Sequence, residues 1–186
     1  MKQKIFMKTI TFLRHGEYQE SGKLSDKGIT QAQKRANSLK NFSPFDLVVA
    51  SSAERAKETA EIIIKSLNLD IPLILLEELH WPKSAKDKQS VKRLLKELGS
   101  EPLSEYMKHD EDKAWERYAK EAYDALLACI LEYKAENVLV VGHGNIINSL
   151  GLKINPQVTD LKKMYFSYCE GFTLFQESNN IRFYFK

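Results

Sequence analysis

Thr9-Ile10-Thr11-Phe12-Leu13 is an apolar run that leads directly into the tetrapeptide Arg14-His15-Gly16-Glu17. A second run, Val138-Leu139-Val140-Val141, leads in the same way into Gly142-His143-Gly144-Asn145. Each run is typical of a buried strand, so each histidine falls where a strand gives way to a turn. Ligands of open α/β sheets bind at that edge of the sheet. The two imidazoles and Arg14 are therefore predicted to line a pocket for an anion, with phosphate as the favoured anion.

Strand and helix patterns alternate along the rest of the chain. Helical spacing covers Ser25–Leu39, the segment after Ser51, Asp112–Tyr133 and about Asn145–Leu152, and strand patterns cover Leu47–Ala50, Leu73–Leu76, Tyr168–Phe175 and Ile181–Phe185. The alternation predicts an α/β fold, a three-layer α/β/α sandwich with a mostly parallel central sheet. We expect one domain over residues 1–186, with a helical insertion at about 81–111 where the alternation is interrupted.

The composition excludes several classes of protein. With 186 residues and 43% hydrophobic content, the chain can bury the core of one domain, and a net charge of +3 is mild. Cys129 and Cys169 are too few for a disulfide framework and match no metal motif. No apolar stretch approaches the ~20 residues of a membrane span. We predict a cytoplasmic protein with neither a nucleic-acid nor a membrane partner, and the oligomeric state stays open.

Arg55 follows the second predicted strand, in the first turn of a helix whose start carries the capping-box pattern Ser51 and Glu54. Helix N-termini favour anions, so an arginine there is electrostatically unfavourable unless an anion binds beside it. The alternative is an exposed Arg55 that pairs with Glu54 or Glu58. Arg14 and His143 occupy the same position in their own strand–helix units, and this convergence favours the anion site.

Four motifs in a fixed order resemble the histidine phosphatase (phosphoglycerate mutase-like) superfamily. They are Arg14-His15-Gly16-Glu17, Leu24-Ser25 with Gly28, Ser51-Ser52-Ala53-Glu54-Arg55-Ala56-Lys57-Glu58-Thr59-Ala60, and Val141-Gly142-His143-Gly144-Asn145. Together they span most of the chain. The resemblance implies a phosphoglycerate mutase-like fold and a phosphoryl-transfer activity.

The resemblance also implies a role for each residue. His15 would be the nucleophile that takes the phosphoryl group, which requires a neutral ring whose other nitrogen donates to a fixed acceptor. Arg14, Arg55 and His143 would hold the equatorial oxygens, and Gly144 would add its N–H to substrate binding. Such a cationic cluster needs neither a metal nor another cofactor.

The leaving oxygen needs a proton, which the family often takes from a Leu-x-Glu segment after the third strand. Leu76-Glu77-Glu78 fits this pattern, and its register selects Glu78, with Glu77 as the second choice. The alternative is that neither glutamate is the acid and both are simply exposed after the strand.

Several departures from the family pattern favour a phosphatase over a mutase. Ser52 and Ser25 replace the usual proline and threonine, and the loop Tyr18–Lys23 is short. Within that loop Ser21, predicted to bind substrate, falls where mutases carry a phosphate-binding asparagine. Trp81-Pro82-Lys83 replaces the usual glycine-rich stretch, and the paired arginines of glycolytic mutases have no match.

The predicted function is hydrolysis of phosphomonoesters or phosphohistidine, on a small molecule or a phosphoprotein. The alternative is a catalytically weak phosphate-binding regulatory module, and a phosphoglycerate mutase is less favoured. Residues 83–96 carry six basic side chains against one acid. They form either a lid that attracts an anionic substrate or, as the spacing of Lys88, Lys92 and Lys96 favours, a solvated helix face. His80 is placed at the pocket mouth and His109 in solvent.

Overall fold

Strands and helices alternate in the computed structural model, which describes residues 8–42, 44–175 and 181–184. The strands are β1 (Thr9–Arg14), β2 (Leu47–Ser51), β3 (Leu73–Leu76), β4 (Asn137–Gly142), β5 (Gly171–Phe175) and β6 (Ile181–Tyr184). The α-helices are α1 (Asp26–Leu39), α2 (Glu54–Leu67), α3 (Ala85–Leu98), α4 (Leu103–His109), α5 (Ala114–Tyr133) and α6 (Gly144–Ile154). Short 3₁₀ helices cover Lys40–Phe42, Glu77–Leu79 and Thr159–Lys162.

The sheet has the strand order β3-β2-β4-β1-β5-β6 within the described residues. The first four of these strands are parallel, and β5 and β6 are antiparallel additions, with β6 at the edge. The predicted mostly parallel sheet is therefore confirmed. The fifth strand begins at Gly171 rather than Tyr168, because the preceding residues turn to pack near the end of β1.

Helices cover both faces of the sheet, which confirms the predicted three-layer sandwich. Alternate residues of the central strands, such as Leu13 and Val48, pack with α1 and α2 on one face. Their neighbours in sequence, such as Phe12 and Val49, pack with the larger layer of α3 to α6 on the other. Successive side chains of a strand point to opposite faces, so fully apolar strands supply both cores.

The ends of the helices follow the sequence in part. The Ser25 hydroxyl accepts from Gly28 N at 3.1 Å and caps α1, as predicted. The predicted capping box is wrong, because Ser51 is the last residue of β2 and Ala53 precedes the first turn of α2. The Ser51 hydroxyl instead contacts a histidine 92 residues away in sequence.

The segment 81–111, predicted as a helical insertion, contains α3 and α4. Its buried residues Val91, Leu94 and Tyr106 pack into the same core as α5. Asp87 on α3 forms an ion pair with Arg117 on α5, at 2.6 Å. The segment is therefore anchored against α5 beside the carboxyl end of the sheet. Among the helices of the described ranges, none combines the length and apolar character needed to cross a membrane.

Candidate active site

Two histidines and two arginines meet at the carboxyl end of the parallel strands. Arg14 ends β1 in register with Gly142 of β4, so the residues that follow, His15 and His143, lie side by side. Their ring centroids are 5.0 Å apart. Arg55 on α2 contacts both rings, since its Nε donates to His15 Nε2 at 3.0 Å and its Nη2 donates to His143 Nδ1 at 3.3 Å.

His15 is held in one tautomer. Its Nδ1 lies 2.8 Å from the carbonyl oxygen of Gly16, which can only accept, so Nδ1 carries the proton and Nε2 keeps a lone pair. Burial, and to a smaller extent the charges of Arg55 and Arg14, lower the pKa of His15 from 6.5 to about 3, although the Gly16 hydrogen bond acts in the opposite direction. The ring is therefore neutral at physiological pH, as a nitrogen nucleophile must be.

His143 is fixed from two sides. Its Nδ1 accepts from Arg55, and its Nε2 lies 2.8 Å from the Ser51 hydroxyl oxygen, which also accepts from Ala53 N at 3.3 Å. Because arginine only donates, Nδ1 is unprotonated in this arrangement and Nε2 donates to Ser51. Burial, followed by the neighbouring His15 and Arg55, holds the pKa of His143 well below its usual value.

Arg14 carries a donor that has no acceptor. Its Nη1 donates to the carbonyl oxygen of Phe166 at 2.7 Å, and its guanidinium lies over the rings of Tyr165 and Tyr168, at 4.8 and 4.4 Å. Its Nε is buried without a hydrogen-bond partner in the described part of the chain. Leaving a buried donor unpaired is unfavourable, so this N–H indicates a site for an acceptor such as a phosphate oxygen.

The turn that carries His15 is tied to both neighbouring helices. Gly16 N donates to the Thr59 hydroxyl at 3.0 Å, and that hydroxyl donates to the carbonyl oxygen of Arg55 at 2.7 Å. On the other side, a Cβ added to Gly28 of α1 would lie 2.0 Å from the carbonyl oxygen of Glu17. The turn can approach α1 this closely because Gly28 has no side chain.

These residues open into a pocket of about 280 Å³. Its lining includes Arg14, His15, Arg55, His80, His143, Gly144 and Asn145, together with the aromatic residues Tyr18, Trp81, Tyr106, Trp115, Tyr118 and Tyr165. No carboxylate is among the described lining residues. A larger cavity of about 360 Å³ lies on the far side of Trp115, among α4, α5 and α6, and contains none of these histidines or arginines. We place the site in the smaller pocket, because the histidines and arginines face it.

The structure brings most, but not all, of the predicted site residues together. Gly144 lies in the pocket, and His80 is there as expected, stacked on His143 with centroids 5.5 Å apart. Ser21 does not reach it: this residue is exposed, and its hydroxyl lies 3.5 Å from Lys23 N within its own loop. The short loop that replaces the mutase loop turns back on itself and leaves Ser21 on the surface.

The two predicted acids also lie outside the described lining of the pocket. The Glu78 carboxylate forms an ion pair with Lys83 at 2.8 Å, and this partner lowers the pKa of Glu78, whereas a general acid needs a raised pKa. Glu77 is exposed. A proton-donating glutamate therefore stays a prediction: in this arrangement Glu78 pairs with Lys83, and the residue that the 3₁₀ turn places in the pocket lining is His80.

The alternative partners of Arg55 are engaged elsewhere. Glu54 pairs with Lys57 at 3.7 Å, and the Glu58 carboxylate accepts from Leu24 N at 2.6 Å. The guanidinium of Arg55 lies over the ring of Tyr18 at 4.5 Å and contacts the two histidines. Arg55, in the first turn of α2, thus faces the candidate pocket rather than these two glutamates.

Sequence reasoning missed the residues that support the four central side chains. The hydroxyl of Ser51, the ring of Tyr165 and the carbonyl of Phe166 all make contacts from positions distant in sequence. The sequence pattern predicts a helix cap at Ser51, and Tyr165 and Phe166 lie in an irregular segment with no periodic pattern. An unusual density of aromatic residues in 165–168 was the one available signal.

An α/β sheet with two neutral histidines and two arginines around one pocket defines a class of protein that binds a phosphoryl group beside a histidine. Within that class, the chain belongs to the histidine phosphatase superfamily (branch 1), whose family model matches residues 10–170.

Similar proteins and solved structures are consistent with this family. The chain is 28% identical over 160 residues to the serine/threonine-protein phosphatase Pgam5, mitochondrial, of Drosophila ananassae, which covers 74% of this chain and 47% of the relative. It thus spans about half the length of that curated relative. Two solved structures share the fold. The alpha-ribazole phosphatase from Shigella flexneri has a TM-score of 0.62 at 19% identity, over 95% of this chain and 94% of that chain. Bacillus stearothermophilus YhfR has a TM-score of 0.64 at 19% identity, over 94% of both chains.

Proposed function

We propose that this protein is a phosphatase that hydrolyses phosphomonoesters, or phosphohistidine, through a covalent phosphohistidine on His15. The observation that carries the proposal is the His15 tautomer: Nδ1 donates to Gly16 and leaves the Nε2 lone pair directed at the Arg55 guanidinium. In the first step, Nε2 attacks phosphorus and the bond from phosphorus to the leaving group breaks. The leaving atom, an ester oxygen or the ring nitrogen of a phosphohistidine substrate, takes a proton. In the second step, water attacks phosphorus, the N–P bond breaks, and inorganic phosphate leaves.

Arg14, Arg55 and His143 stabilise the transferring group by charge and hydrogen bonds. Phosphoryl transfer depends chiefly on positioning and electrostatic stabilisation. In the proposed mechanism these three residues provide both, and no metal ion takes part. When a phosphoryl group enters, Arg55 exchanges its contacts with the two imidazoles for phosphate oxygens. The Ser51 hydroxyl can then donate to His143 Nε2, which frees His143 Nδ1 to carry a proton and donate to the same group.

Two residues are candidates for the proton donor. Glu78 is favoured by the Leu-x-Glu spacing, and it reaches the leaving oxygen only if its ion pair with Lys83 opens. His80 is favoured by position, since it lies in the pocket in contact with His143. Burial and the charge of Arg55 lower the pKa of His80, and a bound phosphate dianion would raise that pKa towards the range of a general acid.

The substrate is a phosphorylated small molecule or a phosphoprotein. The pocket of about 280 Å³ admits a phosphoryl group and a modest part of what it is attached to. The catalytically weak phosphate-binding module remains the second candidate, because the Lys83 ion pair keeps the predicted acid outside the pocket. The hypothesis of a phosphoglycerate mutase comes third, because the described lining of the pocket contains no arginine besides Arg14 and Arg55.

The phosphoenzyme tests the proposal directly. After rapid quench with a ³²P-labelled phosphomonoester, we expect an acid-labile, base-stable label on the wild-type protein and none on His15→Ala. An undiminished label on His15→Ala would refute the proposal. Binding of vanadate without turnover of p-nitrophenyl phosphate would favour the phosphate-binding module, because that leaving group hardly needs a proton donor.

A further inference from the structure

Two lysines of α3 border the opening of the candidate active site. Lys88 Nζ and Lys92 Nζ lie 5.4 and 5.5 Å from the ring centroid of Trp81, and Trp81 lines the pocket. One turn further along α3, Leu95 also lines the pocket and is 40% exposed. The face of α3 that carries Lys88, Lys92 and Leu95 is therefore a wall of the pocket mouth, and we call the two lysines with Trp81 the lysine shelf.

Three carboxylates of the segments around the lysine shelf have other partners. Asp87 is bound by Arg117 at 2.6 Å, and Glu78 is bound by Lys83 at 2.8 Å. Glu121 accepts from Lys83 N. Within the described ranges, neither Lys88 nor Lys92 forms an ion pair. Two like charges four residues apart on one helix face are unfavourable, so an external anion would relieve their repulsion.

The lysine shelf lies close to the end of the pocket that holds the histidines. The ring of Trp81 lies 5.3 Å from His80, which in turn stacks on His143. The pKa of His80 is lowered first by burial and then by Arg55; the charge of Glu77 raises it, and the charge of Lys88 lowers it by less. Arg55 and Lys88 therefore both bring positive charge close to His80, and the described lining of the pocket holds no carboxylate.

We propose that the lysine shelf is a second anion subsite, which selects phosphomonoesters that carry a further negative charge on the leaving-group side. The inference rests on the proposed phosphatase function. The scissile phosphoryl group sits between Arg14 and Arg55, the body of the leaving group crosses Trp81, and a carboxylate or second phosphate contacts Lys88 and Lys92. The second charge comes from an acidic side chain beside a phosphorylated residue or from an acidic group of a small metabolite.

The experiment compares kcat/KM for matched substrates. One pair is a phosphoserine peptide with Asp or with Asn at the neighbouring position, and the other is 3-phosphoglycerate and glycerol 3-phosphate, which differ by a carboxylate. We expect wild type to prefer the acidic member of at least one pair, and Lys88→Gln/Lys92→Gln to lower that preference about tenfold, as two screened ion pairs would. Preference in the peptide pair assigns the charge to a protein substrate, and preference in the small-molecule pair assigns it to a metabolite.

The matched control is Lys86→Gln/Lys96→Gln, which removes the same charge from the same helix at positions without a contact to Trp81. We expect this variant to keep the wild-type preference. Equal preference for both members of both pairs in wild type would overturn the subsite, as would an equal loss of preference in the two double variants. Turnover of p-nitrophenyl phosphate by wild type is measured alongside, so that failure of the phosphatase proposal is recognised separately.

Discussion

At the scale of single residues, the site depends on which ring nitrogen carries a proton. His15 is fixed by the carbonyl of Gly16, which can only accept, and so its Nε2 keeps a lone pair, towards which Arg55 Nε donates. His143 is held by the hydroxyl of Ser51, which can either accept or donate. These partners suit the tasks proposed for the two histidines: His15 attacks from a single tautomer, and His143 can change tautomer when a phosphoryl group enters.

Substitution of Ser51 by alanine is expected to lower kcat about tenfold to a hundredfold, because His143 Nε2 would lose its partner inside a buried site. Steady-state kinetics with p-nitrophenyl phosphate would measure the change. Ser52→Ala is the matched control, since the hydrogen bond of Ser52 within the described residues is made by its backbone N–H, which donates to the carbonyl oxygen of Leu76 at 3.2 Å. Equal effects of the two substitutions would contradict a positioning role for Ser51.

The proton donor can be identified by the leaving group. If His80 donates the proton, His80→Gln should lower kcat on an alkyl phosphate by on the order of 10²–10³, with a much smaller loss on p-nitrophenyl phosphate. Glu78→Gln should then change kcat by the same factor on the alkyl phosphate and on p-nitrophenyl phosphate. The opposite pattern would assign the proton to Glu78, and an equal loss on both substrates in both variants would exclude both residues.

At the scale of elements, two helices hold the turn after β1. The hydroxyl of Thr59 connects the turn to α2, and Gly28 allows α1 to meet the backbone of Glu17. The active-site histidine is therefore set by contacts between three elements rather than by its own strand alone. A substitution in either helix should therefore shift the position of His15, although the substituted residue itself does not contact substrate.

Gly28→Ala is expected to destabilise the protein by about 1–3 kcal/mol, since its Cβ would overlap the carbonyl of Glu17. On helix propensity alone, the same substitution would stabilise α1 by about 1 kcal/mol. The sign of the change in the free energy of unfolding therefore shows which of the two effects is larger. Urea denaturation would measure the difference. Gln33→Ala, at an exposed position of the same helix, should leave the midpoint nearly unchanged.

At the scale of the whole molecule, the sheet gathers positive and neutral basic groups at one edge and buries them. His15 is only 3% exposed and stays neutral, whereas an unfolded chain would protonate it below pH 6.5. Between pH 6.5 and about pH 3, the unfolded chain therefore binds more protons than the folded one. The free energy of unfolding must therefore fall as the solution is acidified.

We expect stability to decline as the pH falls from 6.5 towards about 3, the window set by the pKa of His15. Each buried neutral histidine would contribute a slope of up to about 1.4 kcal/mol per pH unit. Urea titrations between pH 7 and pH 4 would give this slope. His15→Asn should flatten it, and a slope identical to that of wild type would show that His15 is not the group responsible.

Much of the fold followed from local patterns. Apolar runs such as Val138-Leu139-Val140-Val141 are typical of buried strands, and this one forms β4, while α3 ends at Gly99. Parallel strands share one carboxyl edge, so residues directly after them, such as His15 and His143, had to converge. The predicted capping box failed because a serine at a strand end can serve a partner far along the chain.

The sequence by itself determined the sandwich and the four side chains that surround the pocket, because strand ends and motif order are local properties. Only the tertiary structure decided which side chains support them and which turn away. Ser51 meets His143, Glu78 pairs with Lys83, and Lys88 and Lys92 flank Trp81. The direction of a side chain after a strand depends on charges and rings brought near by folding, and no spacing in the sequence encodes them.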